Sequence, residues 1–432
     1  MLICAPKNFL HMKIRELKNE IARGKKASVR LLALSPTERR LILLNLAKLL
    51  AENTERLIAA NRLDIREATH SGREESFVER LSLDKKRIAS MAKSVRAIAN
   101  HRDILFETLE RRRRPNGLLI KKVRFPLGLL AMIYESRPNV TIDAFALSFK
   151  SGNALLLRGG KEIQHTNNVL VTLIRRALRV GHIGPDTIKD FSGLDKMLTL
   201  ELMRNSLIDC LIPRGGKELI SFIKENARIP IIITGASVVH TYVDAGADKR
   251  SAVKIVLNAK TRRVSICNAL DVLLLHKDIS ASMLKLLVKD LAKRHVEIRA
   301  DKDSYRILHT CGYPHLKRAK RNDFDTEFLD YVLAVKVVKD FEQAVQHIQE
   351  HGLGHSEAII TRSKKHTAEF FQKIDAACVY VNTSTQFSDG EEFGLGGEIG
   401  ISTQKLHARG PFATAGLTTY KYLIESNNAI RT

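Results

Sequence analysis

Tryptophan is absent from this 432-residue chain, and aromatic residues make up only 6% of it. Nucleic-acid surfaces that work by base stacking need aromatic platforms, so that class of binding has little to draw on. Long apolar runs are also missing. Leu127 to Tyr134 and Ile229 to Ile233 are among the longest, far short of the roughly 20 residues that span a bilayer, and no membrane helix is expected. The opening MLICAPKNFLHMKIRELK carries its basic charge after a short apolar stretch, the reverse of a secretory signal. The five cysteines, Cys4, Cys210, Cys267, Cys311 and Cys378, are odd in number and widely spaced, without a CxxC pair. That argues against a disulfide framework or a zinc site, and a cytoplasmic setting fits best.

Two further motifs are lacking. The Gly394 to Gly400 run has Ile399 where the third glycine of GxGxxG belongs, and no lysine after a glycine turn is followed by Ser or Thr as in a Walker A loop. His347, His351 and His355 are spaced four apart, but Gly352 and Gly354 favour a turn there over a helical metal site. No metal is expected.

Basic residues, by contrast, are abundant, with a net charge of +24. Clusters at Arg111 to Arg114 and at Lys317, Arg318, Lys320 and Arg321 are read as solvated faces, some turned toward an anionic substrate. Nucleic acid is not the expected partner.

The pattern predicts helices from Ile14 to about Asn100, including Glu38 to Asn53 and a single helix over Phe77 to Ala99. A turn at Arg114 to Gly117 leads into a basic hairpin. Strands at 129–134, 154–157, 208–212 and 229–233 then alternate with helices at 140–150, 166–180 and 217–226, which implies a parallel sheet covered on both faces. A second α/β unit of about 150 residues follows: a strand over 269–275, a helix over 280–294, a polar excursion around 301–325, and strands at 332–338, 358–361 and 378–381.

Two strands end in the same letters, Arg158-Gly159-Gly160-Lys161-Glu162 and Arg214-Gly215-Gly216-Lys217-Glu218. Glycines at a strand-to-helix turn let backbone N–H groups approach an anion, and arginine adds a planar fork. Each alone reads better as an ordinary tight turn; two in one sheet bring a phosphate-bearing ligand level with that reading. NAKTRRVSICN, Asn258 to Asn268, carries Cys267 between a helix and a strand, with Lys260, Arg262 and Arg263 close in sequence. Nearby cations favour the thiolate, the reactive form. From this neighbourhood alone, a packed structural cysteine is the plainer reading.

Seven segments taken together carry a resemblance: VRFPLGLLAMIYESRPNVTIDA, SGNALLLRGGKE, IDCLIPRGG, NAK…SICN, HGLGHSEAIIT, VYVNTSTQFSDG and FGLGGEIGISTQKLHARGP. In that order the chain resembles the gamma-glutamyl phosphate reductase family of proline biosynthesis, within the aldehyde dehydrogenase superfamily. The resemblance implies an α/β aldehyde dehydrogenase-like fold, with an NADPH-binding domain over 1–108 and 126–235 and a catalytic domain over 236–385. It places an oligomerisation element at 109–125 and 411–432, with 386–410 returning to the cofactor domain. It implies attack by Cys267 on L-glutamyl 5-phosphate, a thioester, hydride from NADPH and release of glutamate 5-semialdehyde. Asn139 and the Cys267 N–H would stabilise the oxyanion. Arg158, Gly159, Gly160, Lys161, Arg214, Gly215, Gly216 and Glu398 would contact the cofactor; Arg137, Lys260, Arg262 and Ser265 would contact the substrate. A homo-oligomer working beside glutamate 5-kinase is the implied assembly.

The chain departs from the family pattern at particular places. GxGxCH becomes Gly235-Ala236-Ser237-Val238-Val239-His240, QRPS becomes Arg262-Arg263-Val264-Ser265, and the arginine after NxST becomes Gln386. The stretch Ile233 to His240 has no carboxylate where hydrolytic members keep a base, which suits a phosphate-dependent reductase. A different acyl substrate, or a weakened paralogue with a basic nucleic-acid surface, would also accommodate the departures.

Overall fold

The computed structural model describes residues 12–135 and 137–431; Cys4 and the leader reading lie outside the described residues. Helices Ile14–Arg30 (α1), Pro36–Glu52 (α2), Thr54–His70 (α3), Glu75–Leu81 (α4) and Lys85–Asn100 (α5) come first. Ser35 starts α2: its hydroxyl accepts from the Glu38 N–H while Glu38 reaches back to the Ser35 N–H, with Pro36 in the first turn. The single helix expected over Phe77 to Ala99 is two. Asp84 caps a new start by accepting the Arg87 N–H at 2.6 Å, a local bond that competes with continued helix.

A hairpin of Thr108–Arg113 (β1) and Leu119–Pro126 (β2) turns at Gly117, whose φ of +86° suits glycine. Then follow Leu129–Tyr134 (β3), Pro138–Lys150 (α6), Ala154–Arg158 (β4), Gln164–Val180 (α7), Ile188–Asp190 (β5), Lys196–Arg204 (α8), Cys210–Arg214 (β6) and Lys217–Asn226 (α9). The strands form a parallel sheet in the order β5-β4-β3-β6. Every residue of β3 is buried, which is why its letters are continuously apolar. The chain moves outward from β3 to β5, then returns to place β6 on the other side of β3. The β3/β6 boundary is therefore the topological switch point where such sheets bind ligands.

The strand expected at 229–233 is a single bridge between Leu211 and Ile231. Pro230 has no N–H to continue a ladder; its carbonyl and the Ile232 N–H pair with Leu211 at 2.9 and 3.0 Å, and beyond them the Ile233 N–H turns to Gln404 Oε1 at 2.8 Å.

The second unit contains His240–Val243 (β7), Lys249–Thr261 (α10), Val272–His276 (β8), Lys277–Lys293 (α11), Glu297–Ala300 (β9), Lys302–Thr310 (α12), Leu316–Arg318 (β10), Val332–Val338 (β11), Phe341–His351 (α13), Ser356–Ile360 (β12), Lys364–Lys373 (α14) and Cys378–Val381 (β13). Its seven strands run parallel in the order β10-β9-β11-β8-β7-β12-β13. Alternate residues of β8 serve opposite faces: Leu273 and Leu275 join one core cluster, Val272 and Leu274 the other. The polar excursion of 301–325 holds α12 and β10. Their short, charged edge position left only a weak apolar pattern, since edge strands carry charge.

Gly400–Ser402 (β14) and Gly410–Phe412 (β15) pair with each other, and Ile399, Phe412 and Leu417 return to the core of the first unit. Thr418–Glu425 (β16) adds to β2, giving a three-stranded sheet β1-β2-β16.

Candidate active site

Cys267 lies on the turn between α10 and β8. The turn is tied from several directions. Leu270 N–H donates to the Ala259 carbonyl at 3.0 Å, Asn268 Nδ2 donates to the Ser388 carbonyl at 2.9 Å, and Thr385 Oγ1 donates to the Asn268 carbonyl at 2.8 Å. The Ser237 hydroxyl donates to the Cys267 carbonyl itself. A glycine there, as in the family pattern, has no such donor.

Burial pushes the Cys267 thiol up to about 12; Arg214 opposes this, while Glu398 and Glu327 add to it. The cation that opposes the rise is Arg214 at the end of β6, rather than Lys260, Arg262 or Arg263 of the Cys267 segment. Lys260 is fully buried, with Nζ donating to the Leu270 carbonyl at 3.0 Å, 6.0 Å from the Phe328 ring centre. Burial lowers its pKa to about 8. Its ammonium, fully buried and held by a backbone carbonyl, speaks against the expected contact with substrate. Lys260 lies in the last turn of α10 and faces the core, which sequence proximity to Cys267 did not reveal.

Arg262 and Gln386, both off the family pattern, meet: Arg262 Nη1 donates to Gln386 Oε1 at 3.2 Å. Gln386 Nε2 donates in turn to the carbonyls of Ala259 at 2.8 Å and Arg263 at 3.2 Å. Ser265 and Arg263 stand exposed on the same turn.

Glu327 joins the Cys267 neighbourhood without any sign of it in the sequence. The Ile233 to His240 stretch has no carboxylate, yet the fold brings Glu327 Oε1 to 3.0 Å from Ser237 Oγ, and burial raises its pKa. No local pattern signalled it, because the contact joins residues 90 positions apart.

At the first sheet, Asn139 lies in the opening turn of α6, with Nδ2 donating to Asp143 Oδ2 at 3.3 Å. Burial raises Asp143 to about 6. Glu398 is raised to about 7, by burial first and then by Asp389, with Arg214 opposing; its Oε2 accepts the Gly390 N–H at 3.0 Å. Arg137 is held below the ordinary arginine range by burial and by Arg214, Arg80 and Arg263. Arg214 thus joins Cys267, Glu398, Asp143 and Arg137 in one electrostatic neighbourhood of two guanidinium groups, two carboxyl groups and a thiol.

The two glycine turns differ. At the switch point both carboxylate oxygens of Glu135 lie 3.2 Å from the Gly216 N–H, at the start of α9. A carboxylate here stands where an anionic ligand would be received by a helix N-terminus. At the other turn Arg158 Nη2 donates to the Leu194 carbonyl at 2.9 Å while its buried Nε has no partner. Gly159 packs closely: a Cβ would come within 2.9 Å of Ile163 and Ser192. Gly160 begins the short helix Lys161–Ile163, and Lys161 is exposed. An anion-holding turn and an arginine with a spare donor fit a dinucleotide. Of the three histidines, His347 and His351 stay together on α13 with ring centres 4.3 Å apart, bonded to Lys336 and Asp325, while His355 lies beyond the helix and bonds Ser356.

A parallel sheet with a glycine turn at its switch point, and a second parallel sheet in which β8 follows a turn that carries a thiol, make a two-unit α/β fold. The aldehyde dehydrogenase family model matches residues 9–305 and 321–405. The gamma-glutamyl phosphate reductase of Carboxydothermus hydrogenoformans is 46% identical over 417 residues, 96% of this chain and 99% of that protein. That of Legionella pneumophila strain Lens is 45% identical over 418 residues, with the same two shares. The crystal structure of gamma-glutamyl phosphate reductase from Thermotoga maritima superposes with a TM-score of 0.92 at 39% identity, covering 96% of this chain and 100% of that one. The chain belongs to the aldehyde dehydrogenase family, within the branch formed by the gamma-glutamyl phosphate reductases, and is an oxidoreductase with an aldehyde dehydrogenase-like α/β fold. Among the described residues no helix is long and apolar enough to cross a membrane.

Proposed function

We propose that this protein reduces L-glutamyl 5-phosphate to L-glutamate 5-semialdehyde with NADPH and releases phosphate, as a step of proline biosynthesis. The observation that carries the reading is the Cys267 turn between α10 and β8, fixed by Ser237 on the Cys267 carbonyl and by the Asn268 bonds to Ser388 and Thr385. The near-full-length relatives that bear the reductase name supply the substrate.

In this reading the first sheet with residues 1–108 and 126–235 holds the cofactor, residues 236–385 form the catalytic domain, and 386–410 return to the cofactor side. Arg158, Gly159, Gly160, Lys161, Gly215, Gly216 and Glu398 hold NADPH, with the Arg158 charge selecting its 2′-phosphate. Arg137, Arg262 and Ser265 receive the acyl phosphate, joined by Arg214, which faces the thiol and the phosphate together.

Cys267 sulfur attacks the acyl carbon. The C–O bond to phosphate breaks, the thiol proton leaves with the phosphate, and a thioester remains on Cys267. Asn139 Nδ2 and the Cys267 N–H stabilise the oxyanion; removing one such donor typically costs on the order of 10²-fold in rate. The nicotinamide, when bound, supplies hydride to the thioester carbonyl. The carbon–sulfur bond then breaks, the aldehyde departs and the sulfur regains a proton.

The exposed Tyr420, Tyr422 and Ile424 of β16, on an unpaired sheet edge, support a homo-oligomer built through 109–125 and 411–432. The enzyme works in the cytoplasm beside glutamate 5-kinase, which makes its labile substrate.

The test is the reverse reaction. Purified protein given glutamate semialdehyde, phosphate and NADP generates NADPH absorbance, and Cys267→Ala abolishes it. Silence of the wild type, or full activity in the variant, removes the proposal.

A further inference from the structure

We propose that Asp143 is the positioning residue that fixes the Asn139 carboxamide with its nitrogen toward the site, through an α5–α6 relay that begins at Ser94. The inference rests on the oxyanion role given to Asn139 above.

Asn139 and Asp143 are four residues apart on α6 and share one helix face. Asn139 Nδ2 donates to Asp143 Oδ2 at 3.3 Å, and Ser94 Oγ on α5 donates to Asp143 Oδ1 at 3.1 Å. Each carboxylate oxygen therefore has a named donor from a different helix. An ionised carboxylate only accepts hydrogen bonds, and a primary amide has a donor end and an acceptor end. Asp143 in its ionised form can therefore hold only the nitrogen end of Asn139. One N–H is used in that bond, and the second stays free for a developing oxyanion. Once protonated, Asp143 becomes a donor as well, and the carboxamide is equally well held by its oxygen. The free N–H is then no longer fixed.

The surroundings set where this change falls. Burial raises Asp143 to about 6, while the Ser94 and Asn139 hydrogen bonds and the Arg214 charge lower it. Glu398, on the loop before β14, is the other carboxyl group that interacts with Asp143. The groups facing Asp143 are thus Ser94 from α5, Asn139 from its own helix, Arg214 from β6 and Glu398 from that loop. Asn139 loses its fixed orientation as pH falls through the Asp143 pKa, so the rate declines on the acid side.

The experiment is a set of pH–rate profiles of the reverse reaction between pH 5 and 9 for wild type, Asn139→Ala, Asp143→Asn, Asp143→Glu, Ser94→Ala and the Asn139→Ala/Asp143→Asn double variant. Thermal melts accompany each to establish folding. Asp143→Asn is expected to lower kcat about tenfold or more, to leave the KM for NADP within about twofold, and to lose the acid limb near pH 6. Asp143→Glu restores part of the rate. Ser94→Ala leaves Asp143 intact but removes a bond that lowers its pKa, so its acid limb moves to higher pH; this variant keeps the test open if Asp143→Asn does not fold. In the double variant, Asp143→Asn adds nothing to Asn139→Ala. An unchanged acid limb in Ser94→Ala, a wild-type rate and profile in Asp143→Asn, or multiplicative effects in the double variant would overturn the positioning role while leaving the oxyanion reading in place. A wild-type rate in Asn139→Ala would overturn the oxyanion reading, and this inference with it.

Discussion

Arg262 Nη1 donates to Gln386 Oε1 across 124 positions of sequence. The two residues stand where the family pattern has glutamine and arginine, so charge and amide have changed places within one contact. Gln386 also holds the carbonyls of Ala259 and Arg263, which ties the exchange to the backbone that carries Cys267. A double-mutant cycle reads the coupling. Arg262→Gln and Gln386→Arg are each expected to lower stability and the reverse-reaction kcat/KM. The double variant returns to within about threefold of wild type, a coupling of about 1–2 kcal/mol. Additive effects of the two changes would break the link between them.

Cys267 is pushed up to about 12 by burial in the free protein, so its thiol is protonated at neutral pH. Alkylation of Cys267 by iodoacetamide (carbamidomethylation), followed by mass spectrometry, is expected to speed up about tenfold per pH unit from 7 to 10, with no plateau. Arg214→Gln slows it further because the opposing cation is lost; Glu327→Gln speeds it. A plateau near pH 7 contradicts this account.

Glu135 occupies the Gly216 N–H at the start of α9, the place given above to a cofactor phosphate. The carboxylate and the phosphate compete for the same donor and repel each other. Glu135→Gln is therefore expected to tighten NADPH binding about three- to tenfold in a calorimetric titration. Unchanged or weaker binding would count against the competition.

Lys260 is fully buried, and burial lowers its pKa from 10.5 to about 8. Between pH 8 and 10.5 the unfolded chain binds the proton and the folded chain does not, so stability rises with pH across that window. The full rise is roughly 3 kcal/mol. Lys260→Met is expected to lack this slope in urea unfolding at pH 7, 9 and 10. It should stay within about 2 kcal/mol of wild type at pH 7, as the Leu270 carbonyl loses its donor but a buried charge is removed. A wild-type slope in the variant would show that another group titrates.

Ile424, on β16, is 61% exposed, too much apolar surface for a strand with nothing over it. Ile424→Glu is expected to shift the molecular mass by light scattering toward the monomer while leaving far-ultraviolet circular dichroism unchanged. An unaltered mass would remove β16 from the interface.

Much of the first sheet was legible because its strands are buried on both faces and their letters are continuously apolar; β3, β4 and β6 fell close to where the pattern put them. The misread elements have local causes. Asp84 splits a helix by capping, Pro230 stops a ladder, and β10 is too short and charged at the sheet edge to show a period.

The sequence by itself determined the two α/β units, the glycine turns that end β4 and β6, and the cysteine turn after α10. These follow from periodicity, capping and turn chemistry, which act over a few residues. Only the tertiary structure decided which charges meet that cysteine. It turned Lys260 inward, brought Arg214 and Glu327 to the thiol, joined Arg262 to Gln386 and set Glu135 on Gly216. Contacts between residues distant in the chain arise from the packing of whole elements, and no local pattern encodes them.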